Sequence, residues 1–233
     1  MARNRVPGLF ITGTDTGVGK TYVAARIARH LVELGCRVGV YKPAASGCRR
    51  AGGTLVSDDA LALWQAAGEP GELAAVCPQR FAAPLAPHLA AAAEGRSIDE
   101  ELLRSGLDYW LTRSDMVLVE GAGGLLSPLS HHQYVADVAY DLGFPLVVVA
   151  RNRLGVINQT LLTLATAATF RGGISVAGVV LCDTEPADQQ DPSRQSNGVE
   201  LARRVSGPVL AELGFQQAAF DPAIDWLRLC KLG

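Results

Sequence analysis

The sequence lacks the cysteine spacing on which structural zinc sites and disulfide frameworks depend. Its five cysteines are an odd number and widely separated, without a C-x-x-C pair and without histidines at zinc-ligand spacing. A chain of 233 residues can bury about 70–75% of the surface that it exposes when unfolded. We therefore expect a protein that folds around its own apolar core in a reducing compartment.

An excess of basic residues and long apolar runs are also missing. Lys and Arg number 21 against 23 Asp and Glu, for a formal net charge of −2. Nucleic acids and anionic membranes attract clustered basic residues, so neither is expected as a partner. No apolar run reaches the length of a membrane span, and the apolar residues before Thr12 are too few for a signal peptide. The chain is expected to be cytoplasmic.

Short apolar runs alternate with amphipathic stretches along the chain. Five short runs predict strands: Leu9–Ile11, Arg37–Tyr41, Met116–Val119, Leu146–Ala150 and Val176–Leu181. The last three are continuously apolar, which is typical of strands covered on both faces. Helical spacing follows at 23–34, where Gly35 is expected as a left-handed cap, and at 59–67, 98–113, 134–142, 156–170 and 195–205. This order predicts an α/β fold with a doubly wound, mostly parallel sheet in a single domain over residues 1–233.

Two stretches show no clear period. Residues 68–97 are rich in Ala, Pro and Gly and predict an excursion rather than a domain boundary, and residues 183–197 predict a surface loop. Three histidines without readable ligand partners and three tryptophans are expected to serve packing or the surface: His88, His131, His132, Trp64, Trp110 and Trp226.

The segment Gly13–Thr21 has the composition and setting of a phosphate-binding loop, between a buried strand and an amphipathic helix. Gly17 and Gly19 let backbone N–H groups face an anion, Lys20 adds a cation, and the hydroxyl of Thr21 can bind Mg²⁺. The strict pattern G-x-x-x-x-G-K-[ST] places glycine at 14, where this chain has threonine. A glycine-rich turn with a solvated lysine is the alternative interpretation.

Two further strands run into polar residues at the edge where ligands bind in such sheets. Lys42 can neutralise transferring phosphate oxygens and Ser46 can hydrogen-bond substrate, although a lysine that ends a strand often faces solvent. Glu120 precedes glycines and can hold Mg²⁺. Asp58 and Asp59 favour a helix start whether or not they bind metal, so the choice between them stays open.

A helix start at Arg153–Asn158 offers free N–H groups to a carboxylate. Taken together, four segments resemble the dethiobiotin synthetase family in order and spacing across about the first 180 residues: Gly13–Thr21, Lys42–Gly47, Glu120–Gly124 and Leu154–Asn158. The resemblance implies a homodimeric, ATP- and Mg²⁺-dependent ligase of biotin biosynthesis. It would close a ureido ring on 7,8-diaminononanoate with CO2, through a carbamate and a carbamic-phosphoric anhydride, and release ADP and phosphate.

The resemblance also implies roles for individual residues. Lys20, Lys42, Thr16 and Ser46 would act in catalysis, and Thr21, Asp59 and Glu120 would hold Mg²⁺. The substrate would contact Ser46 and, from the neighbouring subunit, the backbone of Gly155, Val156, Ile157 and Asn158. The nucleotide would contact Asp15, Thr16, Gly17, Val18, Gly19, Lys20, Thr21, Asp59, Glu120, Gly121, Ala122, Gly123, Cys182 and Asp183.

Two positions depart from the family pattern. Gly17 stands where one form of the family has glutamate, and Cys182 stands where an asparagine commonly reads the adenine ring, so base selectivity is expected to be loose. Two rival functions share the loop, namely an ATP-dependent amide-forming ligase and a partitioning or maturation ATPase. The latter usually carries a second lysine inside the loop, where this chain has Asp15.

Overall fold

The apolar runs form strands of a parallel sheet in the computed structural model, which describes residues 6–186 and 191–231. Within these ranges the strands are β1 (Gly8–Gly13), β2 (Val38–Tyr41), β3 (Ala44–Ala45), β4 (Arg49–Ala51), β5 (Thr54–Val56), β6 (Gln79–Arg80), β7 (Met116–Gly124), β8 (Leu146–Arg151), β9 (Val176–Cys182) and β10 (Val209–Leu213). Six of them form the main sheet in the order β10-β9-β8-β1-β7-β2, and each neighbouring pair is parallel. The predicted sheet is confirmed.

Helices flank this sheet. They are α1 (Lys20–Glu33), α2 (Asp58–Ala66), α3 (Leu73–Val76), α4 (Pro87–Ala93), α5 (Leu102–Ser105), α6 (Asp108–Leu111), α7 (Val135–Leu142), α8 (Val156–Thr169), α9 (Asn197–Ala202) and α10 (Trp226–Leu229), with 3₁₀ turns at Phe170–Gly172 and Pro192–Gln195. The buried residues of α1 recur at helical spacing, as predicted. Gly35 follows the helix at φ +85°, the left-handed conformation expected of it.

The single helix predicted over 98–113 is wrong, because the structure has the two short helices α5 and α6 there. The hydroxyl of Tyr41 donates to the carbonyls of Leu102 and Leu103 at 2.7 and 3.3 Å. The N–H of Leu107 then bonds to Arg104 O at 3.1 Å instead of continuing the i to i−4 ladder. A tertiary contact therefore interrupts a regular local pattern.

The stretch 68–97 is less irregular than predicted, since it contains α3, β6 and α4. Backbone bonds join it to the residues after β2, for example Gly47 N to Ala83 O at 3.0 Å and Cys48 N to Phe81 O at 2.9 Å. Strand β10 was not predicted, and it extends the sheet beyond β9. Of the predicted loop 183–197, the structure describes residues 183–186 and 191–197, and residues 187–190 lie outside the described residues.

The connections from β1 and β7 run in opposite directions across the sheet. From β1 the chain passes through α1 to β2, and from β7 it passes through α7 to β8 on the other side of β1. The carboxyl ends of β1 and β7 therefore flank a topological switch point, which is where open α/β sheets bind ligands. Of the helices in the described ranges, none is long and apolar enough to cross a membrane.

Candidate active site

The loop after β1 has the backbone conformation that the sequence predicted. Gly17 and Gly19 have φ of +71° and +97°, a conformation that L side chains rarely adopt. A Cβ at Gly13 would lie 2.7 Å from Val18 Cγ2 and 2.9 Å from Asp15 O. The close approach that requires glycine is therefore at position 13, and Thr14 fits because its N–H continues the sheet to Val149 O at 3.0 Å.

Lys20 is buried at the start of α1, with only 7% of its surface exposed. Its ammonium donates to Asp15 O at 2.9 Å, so it lies against the loop rather than in solvent. Burial lowers the pKa of Lys20, and the nearby Glu120 opposes this by favouring the charged form. The alternative interpretation of a solvated lysine is therefore wrong.

A second buried lysine, Lys42, follows β2 and points to the same place. Its ammonium lies 2.5 Å from Glu120 Oε1 and 3.0 Å from Asp59 Oδ2. Burial by itself would lower the pKa of Lys42, but the two carboxylates outweigh it and raise the pKa above its ordinary value. The chain contains only one other lysine, Lys231, which is exposed.

Oxygen ligands suited to a hard cation surround this lysine. Thr21 Oγ1 donates to Glu120 Oε1 at 2.9 Å, while Glu120 Oε2 is buried without a hydrogen-bond partner among the described residues. Burial would raise the pKa of Asp59, but Lys42 more than offsets this and lowers it, so the carboxylate is charged at neutral pH. A buried oxygen without a partner beside two further oxygen donors fits Mg²⁺.

The structure also separates the two neighbouring aspartates. Asp59 faces Lys42, whereas Asp58 pairs with Arg49 at 2.6 Å and has a side chain that is 71% exposed. Both lie in the first turn of α2, after Ser57, whose side chain accepts from Ala60 N at 3.2 Å. Asp59 alone of the pair therefore reaches the site.

A cleft of about 870 Å³ lies at the carboxyl edge of the sheet and is lined by Lys20, Thr21, Lys42, Asp59 and Glu120. We call the part around the loop and the two lysines the phosphate end. Ser46, the segment 84–87 and Ser127 extend it on one side. On the other side, the part that we call the base end is lined by Cys182, Asp183, Thr184, Phe215 and Gln216.

Most predicted site residues line this cleft, and a few do not. The side chains that line it include Thr16, Lys20, Thr21, Lys42, Ser46, Asp59, Glu120, Ala122, Cys182 and Asp183, with backbone from Gly17, Gly19 and Gly123. Val18 is buried, with 3% of its surface exposed, and Gly121 lies against Val135 and Phe10, so neither lines the cleft. Asp15 is a turn residue, whose carboxylate accepts from Thr16 N at 2.7 Å.

The predicted carboxylate site on α8 lies outside the cleft of its own chain. Gly155, Val156, Ile157 and Asn158 open this helix, and Gly155 has φ +96°. Leu154, just before them, is 80% exposed, and its N–H donates to Asp191 Oδ2 at 3.1 Å. The assignment of these residues to a neighbouring subunit's substrate therefore stays a prediction.

Cys182 ends β9 directly against the phosphate-binding loop. It is 1% exposed, and a Cβ at Gly19 would lie 2.6 Å from its Sγ. Burial, with a smaller contribution from Asp183, raises the pKa of the Cys182 thiol to about 11. The thiol is therefore neutral at physiological pH and packs against the phosphate-binding loop, at the border of the base end.

Several cleft residues were not predicted from the sequence. Phe215 and Gln216 follow Gly214, the residue after β10. The sequence feature that could have indicated them is an aromatic residue after a glycine at the end of an apolar run. His88 and His131 contact each other edge to face with ring centroids 5.5 Å apart, in keeping with the packing role expected of them.

Comparison with known proteins finds relatives that share one name. A family model described as an AAA domain matches residues 7–218. The ATP-dependent dethiobiotin synthetase BioD of Rhodopirellula baltica is 44% identical over 215 residues, covering 88% of this chain and 82% of the relative. The protein of the same name from Bacillus cereus is 39% identical over 232 residues, covering 97% and 93%. These alignments extend well past residue 182.

Solved structures match at the level of the fold. A ParA family ATPase from Chlorobium tepidum superposes with a TM-score of 0.54 at 16% identity, covering 91% of this chain and 85% of that structure. At this identity the likeness concerns the P-loop fold alone, and it lends no weight to the partitioning ATPase as a rival function.

Proposed function

The chain belongs to the family of ATP-dependent dethiobiotin synthetases, and we propose that it closes the ureido ring of dethiobiotin from 7,8-diaminononanoate, CO2 and ATP. The observation that carries this proposal is the pair of buried lysines, Lys20 and Lys42, facing one cleft together with Glu120. Phosphoryl transfer depends mainly on positioning and on neutralising charge, and two ammonium groups in a low-dielectric site supply both.

The nucleotide would enter with its triphosphate on the loop after β1. Backbone N–H groups of Gly17–Thr21 and the Lys20 ammonium would hold the phosphates. The base would lie toward Cys182, Asp183 and Phe215, since Phe215 offers an aromatic face there. The side chain of Cys182 cannot make the paired hydrogen bonds of an asparagine. Base reading is therefore expected to be loose.

Lys42 would act where the carbamate forms and accepts the phosphoryl group. One amine of the substrate adds to CO2 to give a carbamate, whose oxygen attacks the γ-phosphorus of ATP and releases ADP. The second amine then attacks the carbamate carbon, closes the ring and expels phosphate. The Lys42 ammonium, held charged by Glu120 and Asp59, is placed to neutralise the carbamate and the transferring phosphoryl group. Thr16 and Ser46 would bind the substrate beside it.

Thr21, Asp59 and Glu120 are the residues that would hold Mg²⁺. The ion would supply charge neutralisation at the phosphate oxygens. Support comes from Glu120 Oε2, which has no hydrogen-bond partner in the part of the chain that the structure describes, and from the Thr21 hydroxyl, which donates to the other oxygen of the same carboxylate.

A product assay tests the function. The full chain is incubated with diaminononanoate, bicarbonate, Mg²⁺ and each of the four ribonucleoside triphosphates, and dethiobiotin is measured by mass spectrometry. Dethiobiotin formation that requires ATP and is abolished by EDTA is the expected result. ATP hydrolysis without dethiobiotin would contradict it and would favour the amide-forming ligase or the partitioning ATPase.

We further propose a two-fold symmetric homodimer in which α8 of one subunit presents Gly155–Asn158 to the substrate carboxylate of the other. A helix N-terminus is a suitable carboxylate site. Leu154 and Leu162, which are 80% and 61% exposed, leave apolar surface around this helix for a partner. Activity should follow the dimer fraction measured by light scattering, and a fully active monomer would rule out the shared site. The cytoplasmic location, and the exclusion of nucleic acid and membrane as partners, stay predictions from the composition.

A further inference from the structure

Tyr22 connects the phosphate-loop helix to the loop at the base end. It is the third residue of α1 and lines the cleft. Its hydroxyl donates to the backbone oxygen of Gln217 at 2.6 Å. One turn further along α1, Arg26 Nη2 donates to the same hydroxyl at 3.2 Å, and the guanidinium lies 4.7 Å from the ring centroid. The phenol therefore both donates and accepts, which fixes its orientation.

The loop that Tyr22 contacts is a closed turn. Gly214 N donates to Gln217 Oε1 at 2.9 Å, and Gln217 N donates back to Gly214 O at 3.1 Å. Between them Gln216 has φ +58°, a conformation that costs energy for a residue with a side chain. Phe215 and Gln216 face the cleft from this turn. The turn thus has a set shape, and its position over the cleft depends on what holds it from outside.

We propose that Tyr22 is a positioning residue for base recognition, which acts through the Gln217 carbonyl to hold Phe215 and Gln216 against the nucleotide base. This inference rests on the proposed function in one respect, namely that the base lies at the base end. A loop that is already held pays less ordering entropy when a ligand binds. The effect of Tyr22 is therefore confined to ligands that touch the loop, and the triphosphate on the phosphate-binding loop does not.

The test compares ATP with inorganic tripolyphosphate, which lacks the base. Calorimetry in Mg²⁺ is carried out on the wild type and on Tyr22→Phe, which keeps the ring and removes the hydroxyl. One lost neutral hydrogen bond corresponds to about a three- to tenfold rise in the Kd of ATP. The Kd of tripolyphosphate should stay within about twofold of wild type, since the hydroxyl faces Gln217 and not the loop amides. Turnover at saturating ATP should be unchanged while KM rises.

Two further variants complete the design. Tyr140→Phe removes a phenol hydroxyl on α7, where Tyr140 is 40% exposed and does not line the cleft, and should change neither ligand's Kd. Arg26→Gln removes the support of the Tyr22 hydroxyl and should weaken ATP binding less than Tyr22→Phe does, again without affecting tripolyphosphate. In Tyr22→Phe, hydrogen exchange of the amides of 214–220 should become faster.

Each alternative outcome is informative. An unchanged ATP Kd in Tyr22→Phe, or unchanged exchange in 214–220, overturns the proposal. An equal loss of affinity for ATP and tripolyphosphate also overturns it, because Tyr22 then acts on the phosphate-binding loop. Wild-type protein that binds tripolyphosphate as tightly as ATP overturns the base-end assignment. A wild type that makes no dethiobiotin refutes the proposed function alone, since these binding measurements contain no diamine.

Discussion

At the phosphate end both lysines and Glu120 are buried, whereas at the base end the lining residues other than Cys182 come from loops and are partly or fully exposed. Lys20 and Lys42 are 7% and 3% exposed, but Phe215 is 42% exposed. The phosphate end is built from the loop after β1, the lysine after β2, Glu120 within β7, and the first turn of α2. The base end depends on contacts between distant segments, such as Tyr22 with Gln217. Under the proposed function, the rigid charges would serve the chemistry and the tethered loop would serve recognition of the base.

The largest expected effect is the loss of either lysine at the phosphate end. Lys20→Ala and Lys42→Ala should each reduce turnover by more than about a hundredfold, because each removes a charge aimed at developing negative charge. Lys20→Ala should also weaken ATP binding, whereas Lys42→Ala should largely spare it. Steady-state kinetics and calorimetry measure both quantities, with Lys231→Ala as the control. Near-wild-type turnover in Lys42→Ala would remove its assigned role.

The phosphate end and the base end meet where Gly19 packs against Cys182, and a substitution at Gly19 should disturb this contact. Gly19→Ala should destabilise the fold by about 1–3 kcal/mol for the left-handed backbone, and by more because its Cβ would meet Cys182 Sγ. Gly17→Ala is the matched control, since Gly17 has φ +71° but no atom within 4 Å of its Cβ position. Urea unfolding should show a larger loss for Gly19→Ala, partly restored in the double variant with Cys182→Ala. Equal losses would show that the contact with Cys182 does not matter.

A smaller effect is expected for base selectivity, the preference for ATP over other nucleotides, which depends on the base end alone. Because most nucleotide affinity is expected from the triphosphate, the wild type should prefer ATP over GTP or CTP by less than about a hundredfold, under roughly 2.7 kcal/mol. Cys182→Asn should increase this preference, since an amide both donates and accepts. Competition assays with each nucleotide measure the ratio. A wild-type preference above about a thousandfold would show that other groups near Phe215 read the base.

The smallest effect is the response to alkali. Burial raises the pKa of Cys182 to about 11 and those of Cys77 and Cys230 to about 12, against an ordinary thiol value of 9.0. The folded state therefore holds these protons more tightly than the unfolded state, so their contribution to stability is complete below pH 9 and is lost as the pH rises toward 12. Melting temperatures between pH 7 and 11 should fall above pH 9, less steeply in Cys182→Ala. An equal slope in that variant would contradict the assignment to this thiol.

Much of the fold could be predicted because it follows from local patterns. The buried strands β1, β7, β8 and β9 lie where continuous apolar runs predict them, and α1 lies where helical spacing does. The 98–113 helix was wrong for a tertiary reason, since the Tyr41 hydroxyl donates to Leu103 O, the carbonyl that Leu107 N would use in a single helix. Strand β10 was missed because its five residues include Glu212, which interrupts the apolar run.

The sequence by itself determined the phosphate end, because a parallel sheet brings residues at the ends of its strands to one edge whatever the rest of the chain does. Gly13–Thr21, Lys42 and Glu120 follow from that rule. Only the tertiary structure decided which aspartate faces Lys42, since Arg49 binds Asp58 on the outside. It alone also placed Phe215 and joined Tyr22 to Gln217 across 195 positions of sequence. Such contacts depend on how distant loops pack, and no local periodicity encodes them.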